Sequence, residues 1–263
     1  MKYICFYLIL GLLFLFACTE EVITDVNYPT TKTAVSTQAY SHLADKLEET
    51  PLANCTVVDT FGYLLPLADT EICIDSNWRA NYTYLELETL AKTAVADYKK
   101  FLDVNDPSQF EVKSITTLKK MGYDAFYKAY PDSSPWCWVV RSEPQFFNGL
   151  EVRGTNLTVV VSPIGVVALG GNWFSDIYVP EQTKVTEDSA KALLLSKTLE
   201  YGSSKLIVTE NTTWGESQFM VVPIKKMGSI ELRVCWVLHP ETWEVLIDSH
   251  SGKQFSTINL SKI

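Results

Sequence analysis

Six cysteines, three histidines and a spread of carboxylates are the groups in this chain that could do chemistry. The imidazoles are His42, His239 and His250, and no Cys-x-x-Cys accompanies them, so a zinc site has neither the spacing nor the donors it needs. Cys235 and His239 share one side of a strand but lie about 13 Å apart at 3.3 Å per residue, too far for a thiolate–imidazole pair. Asp248 and His250, two apart, offer an acid/base or metal pair. The plainer expectation, which we prefer, is a turn aspartate bonding backbone amides beside an exposed histidine. The chain contains no His-Glu-x-x-His, Gly-x-Ser-x-Gly, Walker loop or Gly-rich dinucleotide turn. Gly149, Gly154, Gly165, Gly170 and Gly171 read as isolated hairpin glycines. The expectation is a non-enzyme with no catalytic residue, cofactor or metal.

The cysteines speak instead of compartment. Cys55, Cys73, Cys137 and Cys235 are even in number and allow three pairings. The short loop favours Cys55–Cys73, which leaves Cys137–Cys235, each in a Trp-flanked, strand-like run. Two disulfides suit a location outside the cytoplasm. At the N-terminus, Lys2 precedes an uncharged run from Tyr3 to Ala17, too short to span a bilayer, which needs about 20 residues. It has the form of a signal peptide covering residues 1–17. Its end, Leu15-Phe16-Ala17-Cys18, resembles the lipobox of bacterial lipoproteins, which implies that Cys18 carries the lipid and Cys5 is removed. Thr19-Glu20-Glu21 resembles the surface-export signals of lipoproteins in the Bacteroides group. The resemblance implies lipid anchoring at the outer membrane or cell surface, with the periplasmic face as the alternative. Residues 18–36 read as a flexible stalk.

Composition narrows the partners. The chain has 263 residues, 47% apolar and 12% aromatic, enough for a sizeable core and too much for disorder. Its 31 acids outnumber 22 bases, which excludes a general phosphate-binding surface, so nucleic acid is not an expected partner.

The elements follow from periodicity. Leu87, Leu90, Ala91, Ala94, Val95, Tyr98, Phe101 and Leu102 mark a helix from Tyr84 to Leu102. A second helix is predicted from its cap Thr186 through Ala190, Leu193 and Leu194 to Tyr201, with Gly202 as its stop. Strands are predicted at Phe110–Leu118, Trp136–Arg141, Leu157–Val161, Val166–Leu169, Lys205–Thr209, Ser217–Pro223, Glu231–Leu238 and Trp243–Asp248. The predicted architecture is α+β, antiparallel sheets each packed by a helix. Two units are expected, 37–135 and 136–263. Asn77-Trp78 before Ala91-Lys92 echoes Asn172-Trp173 before Ala190-Lys191, which hints at two similar units in tandem.

From Val139 onward the chain resembles the propeptide region of secreted metallopeptidases, a fungalysin/thermolysin-propeptide segment followed by a PepSY domain. The carriers are Phe146-Phe147-Asn148-Gly149-Leu150-Glu151-Val152-Arg153-Gly154, then Gly165-Val166-Val167, then Thr186 to Ala190. The closing run is Trp236-Val237-Leu238 and Trp243 to Lys253, with Ser249 and Ser251 where the pattern has Ala and Thr. The resemblance implies a cystatin-like fold without the peptidase half. It implies a lipoprotein that binds a protein or peptide by strand addition at a sheet edge, and that modulates a secreted peptidase. A glycan-binding surface lipoprotein using exposed aromatics is the alternative, and a hydrolase using Asp248 and His250 ranks last.

Overall fold

A computed structural model describes residues 27–66, 82–117, 137–180 and 182–263. The signal and lipidation residues, including Cys5 and Cys18, and also Cys73, Trp78 and Trp136, lie outside them.

The chain is mixed α/β with mostly antiparallel sheets. Strand β1 (Thr30–Thr33) leads into helix α1 (Thr37–Glu48), whose cap Ser36 accepts the Ala39 amide. Strands β2 (Thr56–Val58) and β3 (Leu64–Pro66) form a hairpin. Helix α2 (Tyr84–Asp97) begins with a reciprocal Thr83–Glu86 capping box and ends earlier than the predicted Leu102. It buries Leu87, Ala91, Ala94 and Val95 against a four-stranded antiparallel sheet in the order β4 (Val112–Thr117), β5 (Trp138–Ser142), β8 (Asn156–Ser162), β9 (Gly165–Asn172). Between β5 and β8 a small hairpin, β6 (Phe146–Phe147) and β7 (Leu150–Glu151), turns at Asn148-Gly149, both at positive φ. The predicted boundary at 135/136 falls between β4 and β5, which are hydrogen-bonded neighbours, so it divides one sheet.

Helix α3 (Glu187–Ala192) is capped by Thr186 as predicted but is much shorter. Thr198–Tyr201 is not helix but β10, paired with β11 (Ser204–Ile207), and Gly202 serves the hairpin turn instead of a helix stop. The β-favouring Thr198 and Tyr201 gain a partner strand there, and Ser196 at φ 62° breaks the helix before them. A second antiparallel sheet follows: β12 (Gln218–Lys226), β13 (Ser229–Leu238), β14 (Trp243–Asp248) and β15 (Gln254–Asn259). Ala190 of α3 and Leu194 in the turn after it pack against Leu238, Trp243, Val245 and Ile247 on one face of it. Met220, Val222, Cys235, Val237 and Leu246 form the core of the other face.

The expected stalk is corrected from Asn27 onward. Strand β1 pairs with the first half of β13, Thr30 opposite Leu232 and Thr33 opposite Ser229, while β14 pairs with the second half, Cys235 opposite Asp248. The two lie end to end along one edge of β13, and β12 takes the other edge. Between them the Tyr28 hydroxyl accepts the Val234 N–H at 3.1 Å, filling the ladder position that neither strand reaches. A polar Thr-Thr-Lys-Thr run is a strand here because β13 offers it backbone partners, which its own pattern does not reveal.

The cysteines are corrected as well. Cys137 and Cys235 are free and buried, one entering β5 and the other inside β13 of the second sheet, so the expected Cys137–Cys235 bond is not formed. Burial pushes both thiols up to about 12. Cys55 is disulfide-bonded; Cys73, its expected partner, is outside the described residues.

Candidate functional site

All six residues of β14 are buried, yet two of them, Glu244 and Asp248, are acids. Two-residue alternation puts both on one sheet face with Leu246 between them, and each meets an arginine.

Asp248 is fully buried. Its Oδ1 accepts the His250 amide (3.0 Å), the Ser251 amide (2.7 Å) and the Ser251 hydroxyl (2.9 Å). Its Oδ2 accepts the Tyr28 hydroxyl and Arg233 Nη1, each at 2.8 Å. Burial pushes this carboxyl up, but the Arg233 guanidinium, the Ser251 amide and the two hydroxyls outweigh it and hold it below the ordinary carboxylate range. Arg233 also donates Nε to Glu231 at 2.8 Å. The His250 ring lies against Tyr28, centroids 5.1 Å apart, instead of facing the Asp248 carboxylate. Asp248 and His250 are therefore not an acid/base pair. Asp248 is the turn aspartate of the β14–β15 hairpin, helped by Gly252 at φ 69°. No group of three or more potential metal ligands occurs among the described residues.

Arg153 donates Nη2 to Glu244 Oε2 at 3.0 Å, and its Nη1 lies 2.9 Å from Oε1 as an ion-pair contact without hydrogen-bond geometry. His239 Nδ1 donates to the Glu216 carbonyl at 2.8 Å, and its Nε2 stands 3.8 Å from Glu244. Cys235, by contrast, sits among Met220, Val222, Val237 and Leu246. Set on the sheet face with its arginine, the pair is suited to shaping and charging a surface.

That surface is a cleft of about 430 Å³ where the two sheets meet. Arg153 and Glu244 line it together with Phe61, Phe174, Ile224, Leu246, Phe255 and Lys225. The far wall is built locally. Asp59 Oδ1 accepts the Phe61 and Tyr63 amides at 2.8 and 2.9 Å, which sets the turn presenting Phe61. Gln145, buried, grips the Phe174 backbone from both sides, donating Nε2 to its carbonyl at 2.6 Å and accepting its amide at 3.1 Å. Arg153 arrives because β7 runs on into a parallel bridge, Val152 beside Val221, with the Arg153 amide donating to the Val221 carbonyl at 2.8 Å.

Sequence reasoning did not single out Arg153 and Glu244 as a pair, although both lie in runs it highlighted. The available signal was the presence of two acids, Glu244 and Asp248, among the apolar residues of one strand, which implies buried counter-charges. Of the tryptophans, Trp138, Trp173 and Trp243 are core residues.

No protein-family model and no curated protein matches the chain. Among solved structures, the Bacillus megaterium YpeB C-terminal domain matches at 10% sequence identity, over 87% of this chain and 99% of that one, with a TM-score of 0.30. At that score the superposition adds nothing to the geometry above.

Proposed function

We propose that this chain is a non-catalytic, lipid-anchored cell-envelope protein whose PepSY-like second sheet binds a protein or peptide and so modulates a secreted peptidase. The observation that carries the reading is the combination of spent polar groups and an open cleft. Asp248 has one oxygen holding a turn and the other taken by Tyr28 and Arg233, while apolar walls and a backbone edge remain available beside Arg153. The residues that carry the propeptide resemblance support it by their positions. Besides β9 and the start of α3, they fall on the β6–β7 hairpin with the run after it and on β13 to β15, and these last two pieces meet at the Arg153–Glu244 pair.

The test is capture from envelope extracts of the producing bacterium by the full, detergent-purified chain, followed by proteolytic assays of whatever is held. A secreted peptidase retained by the chain and slowed or protected by it is the expected result. A chain that holds no envelope protein and changes no proteolytic rate would sink the proposal. Lipid attachment is checked separately, since Cys18→Ser should move the chain from the membrane fraction to the soluble one.

A further inference from the structure

We propose that the outer edge of β12, from Pro223 to Lys226, is a strand-addition site for an extended peptide with two adjacent apolar residues followed or preceded by an acid. This rests on the binding role proposed above and names its seat and its ligand chemistry.

The backbone direction is fixed twice over. Lys226 and Ser229 flank a two-residue hairpin turn and therefore bond each other, and the Val221 carbonyl is taken from outside by Arg153. Odd-numbered residues of β12 thus turn their backbone groups away from β13. At Val221 the edge is covered by Val152. Beyond it, the Pro223 carbonyl and the Lys225 N–H and carbonyl have no backbone partner among the described residues. Pro223 occupies an outward position, where its missing N–H costs no ladder bond.

An open edge with Pro and Lys is by itself an ordinary guard against edge-to-edge aggregation. Here the cleft adds what a guard does not need, because its walls lie on both sides of the sheet plane. Pro223, Lys225 and Ile230 share one face with Phe61 and Phe174, and Val222 and Ile224 share the other with Leu246. Alternate side chains of an added strand would each find a wall. Opposite Pro223 the wall is Phe61 and Phe174; opposite Ile224 it is Ile224 with Val222. Opposite Lys225 stands an exposed ammonium that joins no ion pair among the described residues, whereas Lys226 is bonded to Glu231. A carboxylate in that position completes a cross-strand charge pair. A second copy of this edge would bring its own lysines to face these, so charge selects an acidic partner over self-association.

The probe is a fluorescein-labelled, end-blocked peptide Thr-Glu-Val-Val-Val-Glu-Thr, which reads the same in both directions, added to the full chain in detergent. Saturable binding with new hydrogen-exchange protection at the Lys225 amide is expected. N-methylation of the valines should abolish binding, because it removes edge bonds and keeps side chains. Lys225→Glu, at an exposed position and checked for an unchanged melting temperature, should weaken binding at least about fivefold. The same variant should favour a peptide with Lys in place of Glu. Equal binding of the N-methylated peptide, or protection at β4 or β15 instead, overturns the assignment. So does a Lys225 amide already protected in the free chain by its own residues 18–26, or a dimer dispersed by Lys225→Glu. If Lys225→Glu loses the peptide but captures envelope protein unchanged, the edge is not the partner's seat and the wider role stands. If the peptide binds as described while no envelope protein is ever held, the wider role falls and the edge site remains.

Discussion

Asp248 joins three stretches of chain through one carboxylate: Tyr28 ahead of β1, Arg233 on β13 and the turn at Ser251. Asp248→Asn leaves Arg233 short of a buried counter-charge and should cost about 3 kcal/mol of stability, measured by denaturant unfolding of the full chain. The pH dependence has a definite sign. This carboxyl is held below its ordinary range in the folded state, so its contribution is whole above about pH 4. It is lost as pH falls through the depressed folded value. The wild-type chain should lose stability over that acid limb, and Asp248→Asn should flatten it; an unchanged slope would show that other carboxylates dominate. Tyr28→Phe removes the hydroxyl that serves both Asp248 and the Val234 amide and should cost about 1–3 kcal/mol. The role of Asp248 as a turn residue was legible in Asp-Ser-His-Ser-Gly. Its bonds to Tyr28 and Arg233 were not, because they cross 220 and 15 residues of sequence.

At the scale of elements, the glycines of β9 show how a local reading misses a packing role. Gly165 does serve a turn, at φ 120°, but Gly170 and Gly171 lie inside the strand. A Cβ on Gly170 would stand 2.2 Å from the Leu64 carbonyl oxygen, so the bare backbone is what lets the β2–β3 hairpin close on β9. Gly170→Ala should therefore push that hairpin away at a cost of about 3 kcal/mol, visible as a lower melting temperature and faster amide exchange at Thr56–Val58. Strand β1 makes a similar point. Lys32 in it reaches Asp103 at 2.7 Å and covers the Tyr63 ring, so this short strand ties the second sheet to the turn after α2. Deleting residues 27–33 should destabilise both sheets together; separate melting with the first sheet unaffected would refute the tie.

Across the whole molecule, α2 packs on the sheet of β4, β5, β8 and β9, and α3 packs on a five-stranded sheet in which β1 joins β12 to β15. The echoed Ala-Lys pairs fall on the two helices, where Ala91 and Ala190 are fully buried and Lys92 and Lys191 each pair with a glutamate four residues earlier. Cys137 stands just before β5 of the first sheet and Cys235 inside β13 of the second, each buried and free. In the native chain Cys137 and Cys235 should resist alkylation at neutral pH, because burial holds both thiols protonated. Both should label after unfolding without reductant. A peptide cross-linked through these two residues, found by mass spectrometry, would contradict the structure.

The local pattern of apolar residues determined most strands and the starts of both predicted helices. Alternation and capping are written in neighbours only a few positions apart, and burial of one face enforces them. Tertiary structure alone decided the rest: that Thr30–Thr33 is a strand, that Thr198–Tyr201 is not helix, that Cys137 and Cys235 stay apart, and that Arg153 meets Glu244. Each of these depends on a partner distant in sequence whose backbone or charge is supplied only once the chain has folded, and no window of nearby residues contains it.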